Sequence, residues 1–266
     1  MLVCQAPALA GTPPSVALTE TALRAGGLEV VAEGGGSRQS AKRSATDQAF
    51  GAWATTTDHP SGGDPTFFWH KGVERAVVAR SSVSGGPRHL ELCTLPNTCA
   101  KLPVKDKASG QEVTLDMDGA SVAVTASGLL MAHNIGPTGS SSGDVYLATP
   151  VDATDLTKGW ETTVVSSMAL SGYKEDDPAL SPDGLVIMFG GLNTAGDNDL
   201  WYSARATLTD AFPAPTQLSA VNSAKSDGNA YLAEVTIKGQ AVLELYFTSD
   251  RDGTQKVYRS ACAYAY

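Results

Sequence analysis

The chain has 266 residues, 42% of them hydrophobic and 18% charged, with a formal net charge of −9 at pH 7. That length can bury a sizeable core and the composition is that of a folded chain, while the acidity argues against a nucleic-acid surface, which needs clustered Lys and Arg. No stretch approaches the roughly 18 consecutive apolar residues of a membrane helix, and the opening MLVCQAPALAGTPP has neither the basic start nor the continuous apolar run of a signal peptide.

Residues before Pro14, Ala10-Gly-Thr-Pro13 included, read as a strand at 5–13 with no unit of its own. PSVALTETALRAGGLEVVAEGG (14–35) follows with strand, turn at Gly27 and apolar run, and SAKRSATDQAF (40–50) parallels SARATLTDAF (203–212). Arg24, Arg38, Lys42 and Arg43 make a basic island interrupted by Glu29 and Glu33, expected to be a solvated face. Further along, a turn glycine precedes an apolar strand in KGVERAVVARS, ASGLLMAHN, DPALSPDGLVIMFGG and KGQAVLELYFTS. These glycines stand at 72, 128, 184 and 239, spaced 56, 56 and 55 apart. The second strands keep the same step: they begin at His89, Asp144, Asp199 and Lys256, spaced 55, 55 and 57 apart. Two landmarks sharing one period define a repeat. The units fall at about 14–63, 64–117, 118–176, 177–228 and 229–266, the first with a trimmed hairpin.

Within the fourth unit the strands are predicted at Ala179–Ser181, Leu185–Phe189, Asp199–Ala204 and Thr216–Val221. Pro182-Asp183-Gly184 makes the first turn, since Pro presets φ and Gly accepts a positive φ. Leu185-Val-Ile-Met-Phe189 does not alternate, so it is read as a strand covered on both sides. Radial stacking of repeats provides that cover. Helical crossovers are missing, which excludes a βαβ arrangement. The fold predicted is all-β: a β-propeller of five blades, each of four antiparallel strands. The last unit ends after its third strand, so the N-terminal segment is expected to complete it, closing the ring and covering sheet edges.

DPALSPDGLVIMFGG with DLWYSAR, and LELYFTSDRDG with QKVYRSA, resemble the TolB-like, WD-repeat-like propeller blades of bacterial extracytoplasmic proteins over roughly 14–261. The resemblance implies the blade fold and an extracytoplasmic role as scaffold, binding domain or appendage. Residues 118–128 depart from the pattern by lacking both Asp-Pro and Pro-Asp-Gly.

The ring-closure scheme brings Cys4 beside Cys262, and Cys93 and Cys99 flank a Pro-Asn turn, so two disulfides are expected, in an oxidising compartment. Zinc binding or four free thiols are the competing readings, and no C-x₂-C pair is present.

Asp64, Asp118, Asp177 and Asp227 stand just before the first strands of four units and could ring one mouth of the channel. There they would bind a ligand, or else each would cap its own turn. Glu175-Asp176-Asp177 is the densest acidic cluster, and its polar setting reads as a solvated loop. Of the tryptophans, Trp201 is expected between blades, whereas Trp53 and Trp160 could be exposed sugar platforms. No G-x-S-x-G elbow or triad company for His59, His70, His89 and His133 is present, and no catalytic residue, metal or cofactor is assigned.

The leading reading is a non-catalytic binding or scaffold propeller for a protein, peptide or glycan. It is expected to be a monomer without nucleic-acid partner or transmembrane segment, in the periplasm, the cell envelope or outside the cell, with a cytoplasmic home left open. The alternative is a five-bladed carbohydrate hydrolase using paired carboxylates at the channel mouth.

Overall fold

The computed structural model describes residues 2–12, 16–24, 27–34, 37–60, 62–81, 86–95, 98–137 and 143–264. Pro13, Pro14 and the Pro96-Asn97 turn of the expected N-terminal strand, first unit and cysteine loop lie outside them. Two short strands, β1 (Leu2–Cys4) and β2 (Ala8–Leu9), open the chain. The first sheet holds β3 (Thr19–Arg24), β4 (Glu29–Gly34), β5 (Ser37–Lys42) and β6 (Ala54–Thr55); the second holds β7 (Gly63–His70), β8 (Val73–Ser81), β9 (Arg88–Thr94) and β10 (Thr98–Lys101). The third comprises β11 (Val104–Asp106), β12 (Asp116–Thr125), β13 (Gly128–Gly136), β14 (Asp144–Pro150) and β15 (Trp160–Val164). The fourth holds β16 (Tyr173–Leu180), β17 (Val186–Asn193), β18 (Asn198–Ala204) and β19 (Thr216–Gln217). In the fifth, β20 (Asp227–Ile237), β21 (Gln240–Ser249) and β22 (Lys256–Tyr264) are joined by β1 and β2. Each sheet is an antiparallel meander, and β11 adds a parallel edge to β15 that the sequence pattern does not announce. The first strands β3, β7, β12, β16 and β20 touch in turn, and β20 touches β3 again. This is a five-bladed β-propeller with these five strands around its axis.

The core is divided among the five seams between blades. Val186 and Met188 of β17 pack toward the fifth blade with Leu232 and Leu245, while Ile187 and Phe189 pack toward the third with Ala132 and Val145. A non-alternating apolar strand is the physical requirement of a sheet buried on both faces. The turn before it is built as its residues dictate. Ser181 Oγ and the Leu185 N–H both donate to Asp183 Oδ1, and Gly184 takes φ 72°.

Ring closure falls to β1 and β2, which pair antiparallel with β22 at Leu2↔Tyr264 through Cys4↔Cys262 and at Ala8↔Arg259. Disulfides join Cys4 to Cys262 and Cys93 to Cys99. The first ties the two ends of the chain, the second the β9–β10 hairpin.

Three local expectations are corrected. Trp53 is buried, its Nε1 donating to the Ala10 carbonyl at 2.9 Å, and Trp160 is fully buried in the seam between the second and third blades. Both anchor outer strands and offer no sugar platform. The basic island is no solvated face either. Arg43 has a fully buried side chain paired with Glu244 at 2.9 Å, Arg38 is buried, and Lys42 alone of the four stands exposed.

Candidate active site

Each of the five inner strands carries a break in register near its start: between Thr19 and Ala22, Gly63 and Thr66, Asp118 and Ser121, Asp176 and Ala179, Gly228 and Tyr231. Such a bulge inserts one residue and re-aims a side chain. In every blade the inserted backbone has positive φ, at Glu20 (53°), Asp64 (46°), Gly119 (58°), Asp177 (43°) and Asn229 (49°). Asp, Asn and Gly tolerate this left-handed conformation well, whereas a glutamate there is uncommon.

The five residues form a closed circle. The Asp64 N–H donates to Glu20 Oε2 at 3.2 Å, and the Gly119 N–H donates to the Asp64 carboxylate. Gly119 allows the third and fourth blades to meet, since a Cβ there would lie 2.8 Å from Asp177 Cα. Asn229 Nδ2 donates to Asp177 Oδ2, and Thr21 Oγ1 donates to the Asn229 carbonyl at 2.9 Å. What the circle encloses is a cavity of about 20 Å³, room for about one water.

Crowding carboxylates in a half-buried ring disfavours their ionised forms. Burial, followed by the charges of Asp64 and Glu33, raises Glu20 to about 8. Burial likewise raises Asp177 well above the aspartate range, helped by Asp176, Asp64 and Glu20, and it raises Asp176 to about 7. Asp64 is also raised by burial, but Arg38, Arg88 and the Gly119 N–H all pull against that rise. It is the carboxylate best provided with groups that favour its anion.

Around the ring stands a second tier. Arg38 Nη1 lies 3.6 Å from both Glu20 Oε2 and Glu33 Oε2, and Arg88 Nη1 pairs with Asp118. Among the described residues, Asp118 Oδ1, Asp176 Oδ1, Asn134 Oδ1 and both terminal nitrogens of Arg38 are buried without a hydrogen-bond partner. Buried polar groups are normally satisfied; none of these four residues lines the one-water cavity, so they make up a buried polar shell behind the ring.

The four sequence-nominated aspartates are not equivalent. Asp64 and Asp177 sit on the ring. Asp118 is one residue before the bulge position, buried and paired to Arg88. Asp227, two residues before Asn229, is fully buried away from the cavity, accepting from the Ser223 N–H at 2.6 Å and from Arg251 Nη2. It caps its turn. Glu20 was not nominated, because the first blade lacks the Asp-Pro marker. Yet it precedes Gly27 by seven residues, as Asp177 precedes Gly184. The Glu175–Asp177 stretch, expected as a solvated loop, is part of inner strand β16. Glu175 is buried and accepts from the Leu170 N–H at 2.7 Å.

No family model matches the chain, and no curated protein matches it in sequence. Solved structures do match in shape. An endo-arabinase from Bacteroides thetaiotaomicron superposes with TM-score 0.64 and 13% identity over 99% of this chain and 98% of its own. A GH43_1 enzyme from Xanthomonas citri complexed with xylose gives TM-score 0.63 at 10% identity, covering 94% and 89%. An α-L-arabinofuranosidase from Lactobacillus brevis gives 0.59 at 9%, covering 94% and 92%. At these identities the likeness establishes the fold, the five-bladed β-propeller.

It also corrects two expectations. The structures this chain resembles over its length are glycoside hydrolases, not TolB-like or WD-repeat propellers. The Asp-Pro and Pro-Asp-Gly pattern that suggested the latter is the local chemistry of a propeller hairpin, which any blade needing that turn reuses. A purely non-catalytic binding or scaffold role is overturned by the same neighbours, which favour the hydrolase alternative.

Proposed function

We propose that this chain is a glycoside hydrolase acting on a neutral polysaccharide or its fragments, with arabinofuranosyl or related pentosyl linkages as the first candidates. The substrate class is suggested by the names of the neighbouring enzymes. The observation that carries the reading is the ring itself: carboxyl groups from three different blades, Glu20, Asp64 and Asp177, converge on one mouth with their proton affinities altered. Glycosidases need one carboxyl that keeps its proton and one that gives it up.

Glu20, raised to about 8, is protonated at neutral pH and is the general acid, passing its proton to the departing glycosidic oxygen. Asp64, the carboxylate with cations on its side, is the partner that takes a proton from water or attacks the anomeric carbon. Asp177, held neutral by burial and by the charges of Asp176, Asp64 and Glu20, keeps total charge at the ring low. The two disulfides support a secreted or periplasmic setting.

The test is release of reducing sugar from arabinan, arabinoxylan and xylan, and of nitrophenol from aryl α-L-arabinofuranosides and β-xylosides, by wild type and by Glu20→Gln. Turnover by the wild type and its loss in the variant are expected. A wild type inert on the whole panel, or a variant as active as the wild type, would sink the proposal.

A further inference from the structure

The opposite mouth of the channel holds a second cavity, of about 310 Å³, to which all five inner strands contribute beyond their bulges. The bulge ring, with its one-water cavity, forms the first mouth, and the two cavities have only Ser121 and Tyr231 in common.

Three features give this second cavity a chemistry. Trp69 is 58% exposed at the end of β7, although Phe67 and Phe68 just before it are buried. An indole left open to solvent in a strand whose other aromatics are packed presents a flat apolar face. Beside it, Arg24 is locked onto Glu74 by two hydrogen bonds, Nε to Oε1 at 3.0 Å and Nη2 to Oε2 at 2.9 Å, with its guanidinium 5.9 Å from the Phe67 ring. The pair is held rigid, and a carboxylate retains acceptor sites after a two-point contact, while Arg24 Nη1 also meets His59 Nδ1 at 3.4 Å and Glu29 Oε2 at 3.7 Å. Val124, 52% exposed, and Tyr231 complete an apolar wall.

We propose that this far mouth is a non-catalytic binding site for a neutral saccharide. A pyranose or furanose ring would lie with its C–H face on Trp69 and its vicinal hydroxyls on the Arg24–Glu74 pair. An aromatic plate flanked by a fixed donor and a fixed acceptor is what a ring with one apolar face and an equatorial set of hydroxyls requires. A wholly apolar occupant would cover the ion pair without replacing its water contacts. An anionic one would meet Glu74 and Glu234, which also lines the cavity. The inference rests on the polysaccharide reading above for the identity of the sugar, since the same polymer that is cut at one mouth would be held at the other.

The experiment is affinity electrophoresis in gels cast with arabinan, arabinoxylan or xylan, with polygalacturonate as the acidic control. Glu20→Gln serves as the parent so that the polymer is not consumed. Retardation of the parent in at least one neutral gel is expected. Adding Trp69→Ala should weaken that retardation at least tenfold, Trp69→Phe should restore part of it, and Glu74→Gln should weaken it severalfold. Trp69→Ala in the otherwise wild-type enzyme should turn over an aryl glycoside within twofold of the wild-type rate. Retardation that Trp69→Ala leaves untouched, or a parent retarded by none of the neutral polymers, overturns the second site. Hydrolysis decides the first site separately: binding that Trp69→Ala abolishes in an enzyme with no turnover keeps this inference and sinks only the catalytic reading.

Discussion

At one end of the channel the five inner strands begin with bulges that hold Glu20, Asp64 and Asp177 in a ring, behind which Arg38, Arg88 and Asp118 form a charged tier. A few residues further along the same strands, past the bulges, the lining becomes largely Leu23, Phe67, Val122, Leu180 and Tyr231, with Ser121, Glu234 and the Arg24–Glu74 pair as its polar groups. The strands and their order are shared, so the difference lies in backbone irregularity. In a regular strand successive side chains alternate between the two seams, and few can point at the axis. A bulge with a left-handed residue turns one side chain per blade inward. Reactive groups therefore collect where the sheets are irregular, and an apolar funnel forms where they are regular.

Substitutions can test that division of labour. Glu20→Gln keeps the shape of the ring and removes its dissociable proton. It should lower kcat by roughly 10³-fold, within the usual span for a general acid, while thermal unfolding monitored in parallel shows the fold intact. Asp227→Asn is the counterpart outside the ring. It leaves Arg251 facing a neutral partner in a buried setting, which should cost about 3 kcal/mol in denaturant unfolding, with kcat on an aryl glycoside unchanged. If Asp227→Asn instead abolished turnover at full stability, the placement of catalysis on the bulge residues would be wrong.

Gly119→Ala puts a methyl 2.8 Å from Asp177 Cα at φ 58° and should cost about 2 kcal/mol. Gly72→Ala, in an open outer turn at φ 75° with nothing within 4 Å, should cost about 1 kcal/mol from its backbone alone. Equal losses from the two would mean that the closeness of blades three and four at the ring is of no consequence.

Stability also depends on pH, through two groups that act in opposite directions on either side of the ordinary glutamate range. Glu20 titrates at about 8 in the folded protein against 4.5 in an ordinary glutamate. The folded state then holds the proton more tightly, so its stability declines as pH rises through that window. Glu29 behaves oppositely. Burial alone would raise it, but hydrogen bonds from His59 and Ser40 and the charges of His59 and Lys42 lower it to about 2, so its contribution is present above 4.5 and lost as pH falls toward 2. Melting temperature should peak in mild acid, and Glu20→Gln should raise it at pH 8 while changing it little at pH 4. Turnover should fall as pH passes about 8, where the acid loses its proton, with an acid limb above the ordinary aspartate range because Asp64 is raised. A rate that keeps climbing beyond pH 9 would remove Glu20 from the acid's role.

The repeat, the five blades, the closing role of the N-terminal segment and both disulfides were legible in the residues, because each depends on local signals: a turn glycine at a fixed period, a non-alternating apolar strand, an even set of cysteines. The site was half legible. Asp64 and Asp177 are followed by proline and stand out, while Glu20 carries no such mark. Asp118 and Asp227 look alike in sequence but sit one and two residues short of the bulge position. A shift of one residue in a strand sends a side chain to the opposite face, and an inserted residue changes the count again. Trp53, Trp160 and Arg43 failed as surface residues for a related reason: their burial is set by a neighbouring blade, and Arg43 meets Glu244 from the far end of the chain. The amino-acid order alone was enough to specify the wheel, since blade geometry follows from short-range pattern and turn chemistry. Which carboxylates face one another, and how tightly they hold their protons, was settled when residues more than a hundred positions apart were brought to a common axis, because proton affinity depends on distance and burial rather than on position along the chain.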